Sequence, residues 1–234
     1  MKGATLLIAY LAALLALDHF ATYPEQLALG AVTWAVLIGI CLPLPTLQRA
    51  MVAGVVCFAT IGEVTGSLVW GVYRYRLHNL PLFIPPAHGL VYLTGLSIAA
   101  ALAPHARPLV ITAAASAATW GLLGLFVLPR RDVAGAIGVP LLLVFLLRSR
   151  NRAVYASVFL VVASLELYGT AIGTWRWART LPGLGIPDGN PPSGVASGYV
   201  WFDVMALLVA PALVALAARR PWQRPSRRWA ESSP

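Results

Sequence analysis

The sequence EVTGSLVWGVYRY, residues 63–75, places a carboxylate inside a run of apolar residues, and ELYGTAIGTWRW, residues 166–177, does the same. In each stretch a glycine follows the glutamate by three residues, a second glycine comes later, and a triplet of aromatic, arginine and aromatic residues ends the pattern. A carboxylate in hydrocarbon costs several kcal/mol unless it is protonated, paired or facing a polar cavity. Two carboxylates in matching contexts therefore predict a duplicated fold with a polar site between its halves.

The composition is typical of an integral membrane protein. Of the 234 residues, 59% are hydrophobic and 11% are charged, and the mean hydropathy is +0.77. Soluble domains carry about 25% charged residues. The apolar runs are continuous and long enough to cross a bilayer as helices, which takes roughly 20 residues, and they do not alternate as the strands of a barrel do. We therefore expect an all-α integral membrane protein.

Eight apolar runs, separated by prolines and arginines, predict about eight transmembrane helices. The matching stretches fall in the third and seventh runs, so the chain divides into two parallel four-helix repeats, residues 1–105 and 106–218, related by an axis along the membrane normal. The predicted helices cover roughly residues 4–22, 27–45, 50–73, 87–103, 108–128, 133–148, 153–174 and 197–218.

The distribution of basic residues predicts the orientation of the chain. Lysine and arginine are more frequent in the loops that share a side with both termini, which places the termini in the cytoplasm. The composition is rich in Ala, Leu and Arg and poor in Lys, as in GC-rich bacterial genomes, and this predicts a bacterial plasma membrane. The basic tail, residues 219–234, is expected to be disordered and to contact anionic lipid. The net charge of +9 therefore requires no nucleic-acid partner.

The candidate catalytic residues are three acids inside the apolar runs and one histidine. Glu63 and Glu166 each lie about 13 residues into a run and so near mid-depth, whereas Asp203 lies nearer the outer surface. His88 follows two prolines and is expected to open the fourth helix, where the helix dipole disfavours a cation. The alternatives are structural pairing with another helix for each acid, and a cap or loop contact for the histidine.

Aromatic residues near these acids are the candidates for substrate binding. They could wall a site, since aromatic faces attract cations including carbocations, or they could anchor the chain at the membrane interface. The long loop at residues 183–194 either covers the site as a lid or only connects two helices. The aromatic candidates are Trp70, Tyr73, Tyr75, Tyr92, Trp175, Trp177, Tyr199 and Trp201.

Motifs for cofactors and metals are missing from the sequence. It contains neither a Gly-rich phosphate loop nor a His-Glu-x-x-His motif, and its four histidines are scattered. Its two cysteines lie in apolar runs and resemble small buried hydrophobic residues. We therefore expect no cofactor and no metal ion.

Protonatable carboxylates with aromatic walls suit proton-initiated chemistry on an alkene, namely hydration, isomerisation or cyclisation of a lipophilic, isoprenoid-type substrate in the bilayer. The Glu-x-x-Gly start of each stretch, with aromatics downstream, resembles the polytopic carotenoid hydratase family. The layout, a short multi-span chain with isolated acids inside helices, resembles membrane-integral terpene cyclases. The resemblance covers runs 3 and 7 and the start of run 8. It implies that Glu63 and Asp203 donate the proton, with Glu166 third.

Two loops differ from both families, and two other functions are compatible with the sequence. The loops at residues 85–89 and 190–194 match neither family. A small proton-coupled secondary transporter would also use duplicated halves and mid-depth acids, and it would line both halves of its path with polar residues. A non-catalytic lipid-binding or assembly protein would instead point its acids at separate helix contacts. Membrane lipid and a lipophilic small molecule are the expected partners.

Overall fold

The computed structural model describes residues 2–219, so most of the predicted tail, and its expected contact with anionic lipid, lies outside the described residues. The described residues form eight α-helices and two short strands. The helices are α1 (Lys2–Phe20), α2 (Tyr23–Cys41), α3 (Thr46–Glu63), α4 (Ile84–Ala101), α5 (Ala106–Phe126), α6 (Val133–Arg148), α7 (Arg152–Ile172) and α8 (Val195–Arg219), and the strands are β1 (Tyr73–Tyr75) and β2 (Trp175–Trp177). A π-helical segment, Val64–Trp70, continues α3, and one 3-10 turn, Ala103–His105, precedes α5.

The helices confirm the predicted all-helical class, and each predicted run overlaps one helix to within a few residues. Within the described range, seven helical segments are long and apolar enough to cross a membrane by length and composition. The sixth helix, with 16 residues, is shorter. It contains Pro140, whose ring cannot continue the regular hydrogen bonding of the helix.

Large apolar side chains are exposed over much of the surface, while several acids are buried. Large apolar residues face outward, with Phe20 82% and Phe126 78% exposed. Acidic residues lie inside, with Asp18, Glu166 and Asp203 all below 5% exposure. Soluble proteins almost never bury unpaired acids and rarely expose so much contiguous apolar surface. This arrangement is compatible with a protein that resides in a membrane.

The two predicted halves share one hydrophobic core. Helix α3 makes its largest interface with α8, and α4 makes its largest interface with α7. The core therefore contains side chains from both halves, among them Val55, Leu90, Val158 and Val200, all at most 3% exposed. Because these interfaces cross the midpoint of the chain, neither half forms a separate hydrophobic interior.

Two local predictions were wrong. The segment around Pro85 and Pro86 is not a loop, because both residues lie in the first turn of α4, where a missing N–H leaves no helical hydrogen bond unmade. His88 consequently lies more than one turn inside α4 and does not open it. The aromatic triplets form β1 and β2 after the helices have ended.

A glycine at the interface of α4 and α7 provides a test of this packing. A Cβ at Gly95 would come within 2.4 Å of a methyl carbon of Val158, a stiff side chain that is 1% exposed. We expect Gly95→Ala to destabilise the protein by about 1–3 kcal/mol through overpacking. Thermal unfolding in detergent measures the change.

The matched control is Gly39→Ala in α2, where a Cβ would meet nothing within 4 Å. This variant should be neutral or gain up to ~1 kcal/mol, because alanine favours a helix over glycine. Equal stability of the two variants would contradict the close contact between α4 and α7.

Candidate functional site

Glu63 is the last residue of α3 and accepts hydrogen bonds from the strand that follows it. The π-helical segment leads to Gly71, whose left-handed φ of +75° reverses the chain. Strand β1 then returns toward the helix end, where Tyr73 and Tyr75 donate to Oε2 of Glu63 at 2.7 and 2.6 Å. Burial, reinforced by the Glu63 carboxylate, raises the pKa of both tyrosines far above the ordinary value, so their hydroxyls remain donors.

Glu166 is held in the same way by different donors. Gly173, at φ +81°, ends α7 and turns the chain into β2. Trp175 and Trp177 then donate their indole N–H groups to Oε2 of Glu166 at 2.9 and 3.3 Å. The Trp175 ring lies so close to Gly169 that a Cβ there would approach it to 2.3 Å. The glycine three residues after the glutamate therefore makes room for the returning aromatic ring.

Pairing of the two strands joins the two glutamate units. Strand β1 runs antiparallel to β2, with Tyr73 opposite Trp177 and Tyr75 opposite Trp175. The ring centroids of these pairs are 4.5 and 6.1 Å apart. The four aromatic side chains share one face of the ribbon, because alternate residues of a strand point the same way. They therefore form one continuous roof above both carboxylates.

A cavity of about 340 Å³ lies under this aromatic roof and borders both glutamates. Small-molecule sites in proteins begin near 300 Å³ and are mostly apolar with a few placed polar groups. Here the polar groups are the two carboxylates and their partners. The apolar walls come from α1, α4, α7 and α8 and include Leu11, Leu14, Leu15, Phe83, Ile84, Val91, Leu165 and Phe202.

His88 occupies the remaining oxygen of Glu63. Its Nε2 and Oε1 of Glu63 are joined by a hydrogen bond of 2.9 Å, and both side chains are buried. The imidazole stacks on Tyr199, with 4.8 Å between ring centroids, and contacts the edge of Phe202. Both oxygens of Glu63 are therefore engaged, and its position is fixed from α4, α8 and β1.

Glu166 differs from Glu63 in having one oxygen without a hydrogen bond. Both indoles donate to Oε2, and no residue in the range 2–219 donates to Oε1. That oxygen is not among the sealed polar atoms that lack a partner, and Glu166 borders the cavity. A ligand in the cavity can therefore exchange a proton with Glu166 more directly than with Glu63.

Most of the site residues predicted from the sequence line the cavity. Those that line it are Glu63, Tyr73, Tyr75, His88, Glu166, Trp175, Trp177 and Tyr199. The sequence analysis missed Phe83, Ser197, Phe202 and the leucines of α1. Phe202 follows Tyr199 by three residues and so lies on the same helix face, a spacing that was visible in the sequence.

Two of the predicted aromatic residues lie outside the cavity at the surface. Trp70 is 46% exposed, and its Nε1 donates to the carbonyl of Pro182 at 3.0 Å. Trp201 is 49% exposed. It follows Tyr199 by two residues, a step of about 200° around a helix, so it faces away from the cavity.

Two further candidates are buried in the interior and do not line the cavity. Tyr92 is in the hydrophobic core of α4, and its hydroxyl lies 3.8 Å from the sulfur of Met51. Asp203 lies one turn beyond Tyr199 in α8 and is 2% exposed. Its Oδ2 is sealed and has no hydrogen-bond partner within the described part of the chain. Both side chains are therefore too deep to touch a ligand in the cavity.

The long loop between β2 and α8 is fixed by two residues that precede α6. Asp132 accepts backbone N–H hydrogen bonds from Gly189 at 3.0 Å and from Ser193 at 2.6 Å, besides capping α6. Arg130 donates to the carbonyls of Asp188 and Trp177 at 2.7 and 3.0 Å. Gly194 and Val195, which come directly after Ser193 in the chain, line the cavity. The loop is thus anchored at the edge of the site, and residues 183–193 themselves do not line the cavity.

Asp188 makes the fixed loop sensitive to pH. Burial, together with the negative charge of Asp132, raises its pKa to about 7, and the opposing effect of the Arg130 guanidinium is smaller. The folded loop therefore keeps its proton up to about pH 7, whereas the unfolded chain, with its ordinary pKa of 3.8, has released it well below neutrality. Such a group stabilises the fold fully below the unfolded pKa of 3.8, and this contribution is lost progressively as the pH rises to about 7.

We expect the midpoint temperature of thermal unfolding to fall as the pH rises from about 4 to about 7, because over this range the unfolded chain has released the Asp188 proton and the folded loop still holds it. The variant Asp188→Asn mimics the protonated acid and should reduce this dependence. Unfolding curves of both proteins at several pH values measure it, and their difference removes the titration of the histidines. An identical pH dependence in the two proteins would contradict a buried, protonated Asp188.

Comparison with known proteins identifies no relative. No protein-family model matches this sequence, and neither a curated protein nor a solved structure shows significant similarity to it. The function of this site is therefore inferred from the chemistry of its own side chains.

Proposed function

We propose that the protein is a multi-pass protein of a bacterial plasma membrane with both termini in the cytoplasm. The long apolar helices, the outward apolar side chains and the buried acids support a membrane location. The excess of basic residues on the side of the termini supports the orientation. The loops that hold β1 and β2 then face outward, and the roof of the cavity lies toward the outer surface.

We also propose that the chain arose by duplication into two parallel repeats. If α3 corresponds to α7 and α4 to α8, the large interface of α3 with α8 corresponds to that of α7 with α4. The antiparallel pairing of β1 with β2 fits a twofold axis between the strands. The shared construction of the Glu63 and Glu166 units further supports this proposal.

For the site itself we propose a membrane-embedded enzyme that protonates an alkene of a lipophilic, isoprenoid-type substrate. One observation carries the proposal: Glu166, whose Oε1 is free, borders an apolar, aromatic-lined cavity that also borders the hydrogen-bonded pair of Glu63 and His88. General acid and general base thus border one space. The walls suit a hydrocarbon, and the aromatic faces suit a cationic intermediate.

In the proposed reaction, protonated Glu166 transfers its proton to one carbon of the alkene. The π electrons form the new C–H bond and leave a carbocation on the neighbouring carbon, beside the faces of Trp175, Trp177 and Tyr199. The pair of Glu63 and His88 then accepts a proton. Removal from an adjacent carbon yields an isomerised alkene. If a second double bond of the substrate first attacks the carbocation, its π electrons form the new C–C bond of a ring and the cation moves to that double bond, so the same proton loss yields a cyclised alkene. Removal from an attacking water yields an alcohol. Proton exchange with solvent then returns a proton to Glu166 and removes one from the pair of Glu63 and His88. Hydration therefore adds one water to the substrate in total, and isomerisation adds no atoms.

The assignment of roles departs from the one that the family resemblance implies. There Glu63 and Asp203 would donate the proton, with Glu166 third. We propose Glu166 as the donor because its Oε1 is free, whereas both oxygens of Glu63 accept hydrogen bonds. Asp203 is separated from the cavity by its depth in α8.

A proton-coupled carrier is the second candidate, and Asp203 favours it. A buried acid with an unpartnered oxygen, one turn below Tyr199, could receive a proton on the way from the cavity to the inner surface. The carrier would therefore use Glu63, Glu166 and Asp203 in sequence. The enzyme needs only the first two.

Deuterium incorporation tests the enzyme. Membranes that contain the protein are incubated in D₂O with isoprenoid alkenes of several lengths, and lipid extracts are analysed by mass spectrometry for carbon-bound deuterium. We expect wild-type protein to label a product and Glu166→Gln to reduce the rate by roughly 10²–10⁴-fold, the usual contribution of a general acid. Glu25→Gln is the matched control, because this acid is exposed and bonds only to Thr22.

The alternatives give different results in the same preparation. A carrier would label no product, would move protons with a solute into proteoliposomes, and would lose this transport in Asp203→Asn. A non-catalytic protein would do neither. Normal labelling by Glu166→Gln would show that the proton comes from another group.

A further inference from the structure

The face of the ribbon opposite the cavity carries two arginines that have no partner among residues 2–219. Arg74 and Arg176 lie directly opposite each other in the register of β1 and β2, and both are exposed. Neither forms a hydrogen bond or ion pair with any residue in the range 2–219, where the ion pairs are Arg76–Asp18 and His88–Glu63. Like charges directly opposite on a strand pair are destabilising, so an anion bound between them would offset the repulsion.

A second cavity adjoins Arg74 on this side of the ribbon. It has a volume of about 370 Å³ and is separate from the first cavity except that Tyr75 borders both. Polar walls come from Arg74, Ser67, His78 and Asn79. His78 adopts a left-handed conformation, φ +58°, which is uncommon for a residue with a side chain and positions its ring at the cleft.

The remaining wall of this cleft is apolar and exposed. It is the outer surface of the π-helical segment, where Leu68, Val69 and Trp70 are 54%, 77% and 46% exposed. Trp70 also bonds to the loop before α8, which fixes its ring beside the cleft. One edge of the cleft is therefore cationic and the other hydrocarbon-like, at the level where α3 gives way to the outer loops.

We propose that the phosphate group of an anionic membrane lipid binds at the edge of this cleft, between Arg74, which borders it, and Arg176, which lies opposite Arg74 on the neighbouring strand outside the cleft, with the lipid chains along Leu68 and Val69. Two guanidinium groups on one face can clamp a phosphate through paired N–H donors, a geometry that lysine cannot supply. Paired residues of an antiparallel ladder are about 5 Å apart, close enough to share one phosphate. The inference rests on the proposed membrane location and is independent of the enzymatic reaction.

Native mass spectrometry of the full-length protein in detergent tests the site. The probes are phosphatidylglycerol and a diacylglycerol with the same chains, which lacks the phosphate. We expect phosphatidylglycerol to bind at least about tenfold more tightly, and the double variant Arg74→Gln, Arg176→Gln to lose this preference. Arg131→Gln, which removes an exposed charge from another loop on the same side, should keep it.

Three further outcomes separate the explanations. Arg74→Lys keeps the positive charge but removes the paired N–H donors of the guanidinium group. This variant should bind phosphatidylglycerol less tightly than the wild type and more tightly than the double variant. If inorganic phosphate binds the protein as tightly as the lipid does, the assignment of the ligand as a lipid is overturned and the site binds a soluble anion. Equal binding of both lipids, or unchanged preference in a double variant that unfolds at the wild-type temperature, would overturn the phosphate site.

Discussion

A buried carboxylate needs hydrogen-bond donors, and this chain supplies them from the residues that directly follow each glutamate. Helix α3 or α7 ends near its acid, a left-handed glycine turns the chain back, and two aromatic side chains of a three-residue strand donate to one carboxylate oxygen. The rest of the site depends on this arrangement. The two strands can pair only because the chain turns back after both α3 and α7. Their pairing makes the roof of the cavity.

The two glutamates share a construction and differ in their chemistry. Tyrosine hydroxyls and His88 occupy both oxygens of Glu63, whereas two indoles crowd one oxygen of Glu166 and leave the other free. A hydroxyl can donate and accept, but an indole N–H can only donate. The environment of Glu63 can therefore rearrange its hydrogen bonds when a proton arrives, and that of Glu166 cannot. Two similar acids in one cavity are thereby suited to opposite roles, a pattern common among acid–base enzymes.

The sequence predicted the helices well because hydrocarbon-length apolar runs leave few alternatives. It also predicted both glutamates and the aromatic triplets as parts of one site. The strand pairing was not predictable, because three residues are too short for a periodic signal and their partner lies about a hundred positions away. Nor could the sequence tell that Trp70, Tyr92, Trp201 and Asp203 lie outside the cavity. That distinction depends on which face each helix turns inward, and in helices that are apolar all round the pattern does not specify the face.

The local supply of donors also bears on how the chain is made. Each acid finds its partners within its own half: Glu63 in residues 73–88 and Glu166 in residues 175–177. In the proposed membrane location, the first half can therefore enter the lipid during synthesis with its acid already hydrogen-bonded, before the second half has left the ribosome. The cavity, in contrast, is closed only when α8 brings Tyr199 and Phe202 against His88. The cavity is thus the last part of the molecule to form. A truncated product that lacks the final helix would lack the cavity.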